Sequence, residues 1–168
     1  MRCFHYSVLL LLILIFSCND EKETAPVLSD QADFNTSMIR LTGLNGQSVN
    51  MDQYKGKTFF VNFWATWCKP CLQEMPSIQS AKEILKDEDI VFLFASDETV
   101  EQIEGFRTSH DYDFNYVRAE NMEELNIMAL PTTFIFDKNG KLVFNEMGYR
   151  KWDEKTNIDL ILNIAKSK

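Results

Sequence analysis

Apolar and polar positions alternate along this chain with periods that change from segment to segment. "VLLLLILIF" (Val8 to Phe16) is an unbroken apolar run, and residues 19–33, "NDEKETAPVLSDQAD", are mostly polar and acidic, with one proline. From Phe34 the pattern becomes that of folded elements. "MIRLTGLNGQSVNM" holds short strand-like pieces around Asn45-Gly46, a dipeptide suited to a hairpin turn. Thr58 to Trp64 is apolar apart from Asn62, as expected of a strand buried on both faces, and Ile90 to Ser96 repeats the pattern. Between them Leu72, Met75, Ile78, Ala81 and Leu85 recur at helical spacing, with Pro76 inside the run predicting a kink.

Val100, Ile103 and Phe106 predict an amphipathic helix capped by Asp97 or Thr99. A short strand is expected over Phe114 to Val117 and a short helix around Met122 and Leu125. Thr132 to Asp137 and Lys141 to Met147 read as two strands joined across "DKNG". A last helix carries Ile158, Ile161, Leu162 and Ala165. These elements predict an α/β sheet of mixed strand direction with helices on both faces.

A chain of 168 residues, 45% apolar with thirteen Phe, suffices for one domain and one core. The net charge of −8 and the lack of a basic cluster argue against nucleic acid as a partner. The apolar run at 8–16 is too short to span a bilayer, which takes about 20 residues, but suits a signal-peptide core behind Arg2. "ILIFSC" resembles a lipobox, the bacterial lipoprotein signal, with Ser17 and Ile15 fitting it and Phe16 bulkier than usual. The expectation is a signal peptide over 1–17, a lipidated Cys18 opening an acidic flexible tether over 18–35, and one domain over 36–168. The alternative is an uncleaved N-terminal anchor. Either way the domain is expected outside the cytoplasm, anchored to the cell envelope and facing the periplasm or cell exterior.

This leaves Cys68 and Cys71 of "NFWATWCKPC" as the free thiols. A bridge between them closes almost no loop, so a structural staple is a poor explanation. The predicted strand ends and helix begins at Cys68, where unpaired N–H groups favour a thiolate and make it the candidate nucleophile. Cys71, one turn on, is placed to resolve a mixed disulfide. Lys69 adds positive charge, and Pro70 suits a first helical turn. Zinc needs four ligands, and His110 is the one histidine outside the signal segment, so no metal is expected. A two-thiolate copper(I) site remains as a binding-module alternative.

"NFWATWCKPC", "ALPTTFIFDKNGKLV" and Gly148 resemble the extracytoplasmic thioredoxin-like proteins of the TlpA/ResA type, over about residues 36 to 165. The resemblance implies a thioredoxin fold with an N-terminal β-hairpin and a βα insertion, and thiol–disulfide exchange without a cofactor. Cys68 and Cys71 match the attacking and resolving cysteines, and Pro131 matches a cis-proline facing the disulfide. The backbone of Leu130 would then pair with an extended partner chain. Trp67 would pack beside the cysteines, with Lys69 and Pro70 completing the partner-binding surface, and Trp64 would lie deeper.

Thioredoxin carries a buried aspartate where this chain has Asn62, which cannot shuttle a proton. The periplasmic branch resembles "CLQEMP" instead, and points to Glu74 as the proton-transfer group. Implied partners are disulfide-containing exported proteins, apocytochrome c among the family's known ones, and a membrane electron donor of the thiol–disulfide type. A disulfide-forming oxidant shares the motif and differs in reduction potential.

Overall fold

The computed structural model describes residues 34–167. The expected signal peptide, Cys18 and most of the tether lie outside the described residues. The Phe34 ring meets Phe134 edge-on at 5.7 Å. Thr36 N–H donates to the Gly140 carbonyl and Leu142 N–H to that of Phe34.

Six strands form one sheet: β1 (Leu41–Gly43), β2 (Thr58–Phe63), β3 (Ile90–Ser96), β4 (Asn115–Ala119), β5 (Thr132–Phe136) and β6 (Leu142–Met147). Their spatial order is β1-β4-β3-β2-β5-β6. β2 sits inside the sheet, parallel to β3 with Phe60 beside Phe92, and antiparallel to β5 with Asn62 beside Thr133. All six of its residues are buried, as expected of a run that is apolar apart from Asn62. The N-terminal hairpin is minimal: a single bridge joins Thr42 to Ser48, and Gly46 takes φ 79° at the turn.

Among the described residues three α-helices accompany the sheet: α1 (Lys69–Ile84), α2 (Val100–Ser109) and α3 (Lys155–Lys166). α1 continues through Pro76 as one element. Thr99 rather than Asp97 caps α2, in a reciprocal capping box with Gln102.

Helices were expected on both faces; all three α-helices lie on one, and among the described residues the other carries the short 3-10 helix Met51–Tyr54. Met75 and Ile78 of α1, Ile103 and Phe106 of α2, and Ile158 and Ile161 of α3 all join one core, with Phe60, Trp64 and Phe92 of the sheet. The connections β2–α1–β3 and β3–α2–β4 step the same way across the sheet, and right-handed crossovers then place both helices on the same side. The opposite core, around Phe59, Val61, Phe63 and Phe134, is covered by Ile39, Met122 and Leu125, and by Phe34, Val49, Met51 and Tyr54.

The predicted helix around Met122 and Leu125 is a compact turn instead. Leu125 N–H donates to the Asn121 carbonyl and Ile127 N–H to that of Met122. Asn126 then enters the left-handed region at φ 55°, which stops a helix after one turn. The two apolar residues are still buried, so their spacing reported burial correctly and length wrongly.

Candidate functional site

Cys68 is the N-cap of α1, in extended backbone geometry, and its Sγ accepts a hydrogen bond from the Cys71 N–H at 3.3 Å. The helix N-terminus thus points a donor and its partial positive charge at this sulfur. The two sulfurs are joined in a disulfide, with Cα atoms 5.3 Å apart. Cys68 is 3% exposed and Cys71 fully buried. Lys69 and Pro70 fill the first helical turn, Lys69 exposed and Pro70 half-buried. Trp64 is buried, as expected. Trp67, next to Cys68 in the chain, is 72% exposed.

The peptide bond between Leu130 and Pro131 is cis. Thr132 pairs with Phe63, so Pro131 lies at the sheet end from which the Cys68 loop leaves β2. Its carbonyl accepts from Gly148 N–H at 2.7 Å. Leu130, half-buried, packs against the core that contains both cysteines.

Glu74 is fully buried, one turn of α1 beyond Cys71. Asn62 Nδ2 donates to its Oε1 at 2.7 Å, and Arg150 N–H donates to its Oε2 at 3.1 Å. Asn62 Nδ2 also reaches Thr133 Oγ1 at 3.1 Å. Burial pushes the Glu74 carboxyl up to about 7, against the opposing pull of the Arg150 and Asn62 hydrogen bonds. The indole N–H of Trp152 pulls the same way as these donors, without a well-formed hydrogen bond. The Arg150 side chain is engaged elsewhere, with Glu146 and with Asn157 Oδ1 at 2.7 Å.

Asn62 and Arg150 were not legible as partners of Glu74, nor Thr133 as a partner of Asn62. One signal existed. A lone polar residue in an otherwise apolar buried strand must find a hydrogen-bond partner, and Asn62 is that residue. Elsewhere on α1, Lys69 and Glu83 are exposed and Lys82 is half-buried, and His110 is exposed, stacked on Phe106 at 3.9 Å. Among the described residues no group of three or more His, Cys, Asp or Glu could hold a metal ion.

The Redoxin family matches residues 20–162. Among curated relatives, the thiol-disulfide oxidoreductase ResA of Bacillus thuringiensis subsp. konkukian is 33% identical over 107 residues, 61% of this chain. That match spans 62% of the relative's own length. ResA of Geobacillus kaustophilus is 35% identical over 126 residues, covering 73% of this chain and 70% of the relative. Among solved structures, the exposed lipoprotein thioredoxin of Streptococcus pneumoniae superposes with a TM-score of 0.59 at 27% identity, covering 74% of this chain and 96% of that one. The fold is thioredoxin-like, with α2 and β4 as the insertion and Cys68 and Cys71 as the dithiol pair.

Proposed function

The chain belongs to the Redoxin family, and on that premise we propose that it is a thiol–disulfide oxidoreductase that reduces disulfides of exported proteins. The observation that carries this reading is the Cys68 sulfur at the N-terminus of α1, bonded to Cys71 and accepting its N–H.

In the reduced protein, the Cys68 thiolate attacks one sulfur of a substrate disulfide. A mixed disulfide forms and one substrate thiolate leaves. Cys71 then attacks Cys68 Sγ, closing the bridge seen here and releasing the second substrate thiol. Two electrons pass from the protein dithiol to the substrate. Cys71 must lose its proton for this, and burial holds a thiol's pKa up. Glu74, three residues on and tuned close to neutrality, takes that proton. Leu130, with Pro131 in cis, offers its backbone to an extended substrate chain, and Trp67, Lys69 and Pro70 flank the approach.

Anchoring through a lipidated Cys18 and reduction by a membrane thiol–disulfide donor complete the proposal, with the haem-binding cysteines of apocytochrome c among the substrates. The lipoprotein character of the pneumococcal neighbour supports the anchor. Among the described residues no helix is long and apolar enough to cross a membrane.

Trapping tests the assignment. Cys71→Ser should accumulate mixed disulfides with substrate proteins, because Cys68 attacks and nothing resolves the product. Cys68→Ser should trap almost none. Equal or reversed trapping would overturn the roles.

A further inference from the structure

The loop that delivers Cys68 is tied down by a buried carboxylate from another element. Glu98 lies two residues beyond the end of β3 and is 8% exposed. Its Oε2 accepts from Thr66 N–H at 2.7 Å and from Ser96 Oγ at 3.1 Å, and its Oε1 accepts from Thr66 Oγ1 at 2.6 Å. It forms no ion pair among the described residues, so these three donors are what hold it in place. A carboxylate taken out of water for neutral donors is costly, and the bonds it makes are correspondingly strong. Thr66 sits in the turn that Cys68 N–H closes on the Ala65 carbonyl at 3.1 Å.

We propose that Glu98 is a positioning residue for the redox pair: by gripping both polar groups of Thr66, it fixes the turn that holds Cys68 Sγ at the N-terminus of α1. The inference rests on the oxidoreductase reading above. Glu98 acts through Thr66 and touches no reacting atom. With the grip removed, the turn relaxes, and Cys68 loses the fixed donor that favours its thiolate.

The test follows alkylation of Cys68 against pH in the reduced full-length chain carrying Cys71→Ser, read by peptide mass spectrometry. Glu98→Ala should raise the thiol's pKa toward the free value and slow alkylation at pH 6 by about tenfold. Glu98→Gln should restore the wild-type profile, since its amide oxygen can accept from Thr66 N–H while the Thr66 hydroxyl turns to accept from its NH2. If Glu98→Ala fails to fold, Thr66→Ala decides: a shift in the same direction supports the proposal, and an unmoved profile overturns it. Ser96→Ala, which leaves both Thr66 bonds intact, should move nothing.

Two results would overturn the proposal with folded variants. Faster alkylation in both Glu98→Ala and Glu98→Gln would mean that Glu98 acts by charge. Unchanged profiles in both would leave it a structural filler. Alkylation reports on Cys68 whether or not a substrate is reduced. Disulfide-reductase activity that persists in Cys68→Ser would sink the underlying reading separately.

Discussion

Glu74 shows how one buried carboxyl couples stability to chemistry. Its folded pKa, near 7, lies above the unfolded value of 4.5. The folded state therefore binds the extra proton between these limits. The stabilisation from this group is fully present below about pH 4.5 and is lost as pH rises through about 7. A shift of this size corresponds to about 3 kcal/mol. Glu74→Gln should flatten that decline: across pH 4.5 to 8, denaturant titrations should show wild type losing on the order of 3 kcal/mol more than the variant. The same substitution should slow resolution of the mixed disulfide by on the order of 10²-fold or more, and should remove the rate's rise through pH 7. Stopped-flow kinetics from pH 5 to 9 checks both features; an unchanged profile would return Glu74 to a purely structural role. Asn62→Asp, which in thioredoxin's pattern supplies a proton carrier, has a different outcome here. Asn62 Nδ2 is the donor to Glu74, so an aspartate would set two carboxyls about one hydrogen bond apart and push their shared titration upward. Its rate profile should shift to higher pH than wild type.

At the scale of elements, the site is made where β2 ends, α1 begins and β5 starts, three junctions brought to one end of the sheet. The turn at 121–127 supports the opposite face through Met122 and Leu125. Its left-handed Asn126 yields a plain expectation. Asn126→Gly should be close to neutral and Asn126→Val should cost about 1–2 kcal/mol in denaturant unfolding, because a β-branched residue strains at positive φ.

The sequence was most readable where one residue pattern had one physical solution. The apolar run at 58–64 could only be a doubly buried strand, and Cys68 before a helical repeat placed the thiol at a helix start. It was least readable where partners meet across long separations. Arg150 reaches Glu74 through its backbone N–H, and Glu98 reaches Thr66 from the neighbouring strand's end; no residue type or spacing announces either. Trp67 belongs with them: nothing in its residue type announces 72% exposure beside the buried Cys68.

For the molecule as a whole, exposed apolar side chains gather on the segments flanking the disulfide: Trp67 beside Cys68, Met128 at 77% exposure before Leu130, and Met147 opposite Thr132. Such a rim suits an extended polypeptide better than a small polar molecule. Trp67→Ala should leave stability within about 0.5 kcal/mol, since the ring adds nothing to the core, while lowering the yield of trapped partners in the Cys71→Ser background. Cys18→Ser should release the chain from membranes with its thiol chemistry intact; tight association that persists would point to an uncleaved anchor. The central claim is that the pair donates electrons. The equilibrium reduction potential of the Cys68–Cys71 couple, measured against glutathione or dithiothreitol buffers, tests it most directly. A value near thioredoxin's roughly −270 mV is the predicted result, and one near about −120 mV, the range of a disulfide-forming oxidant, would contradict it.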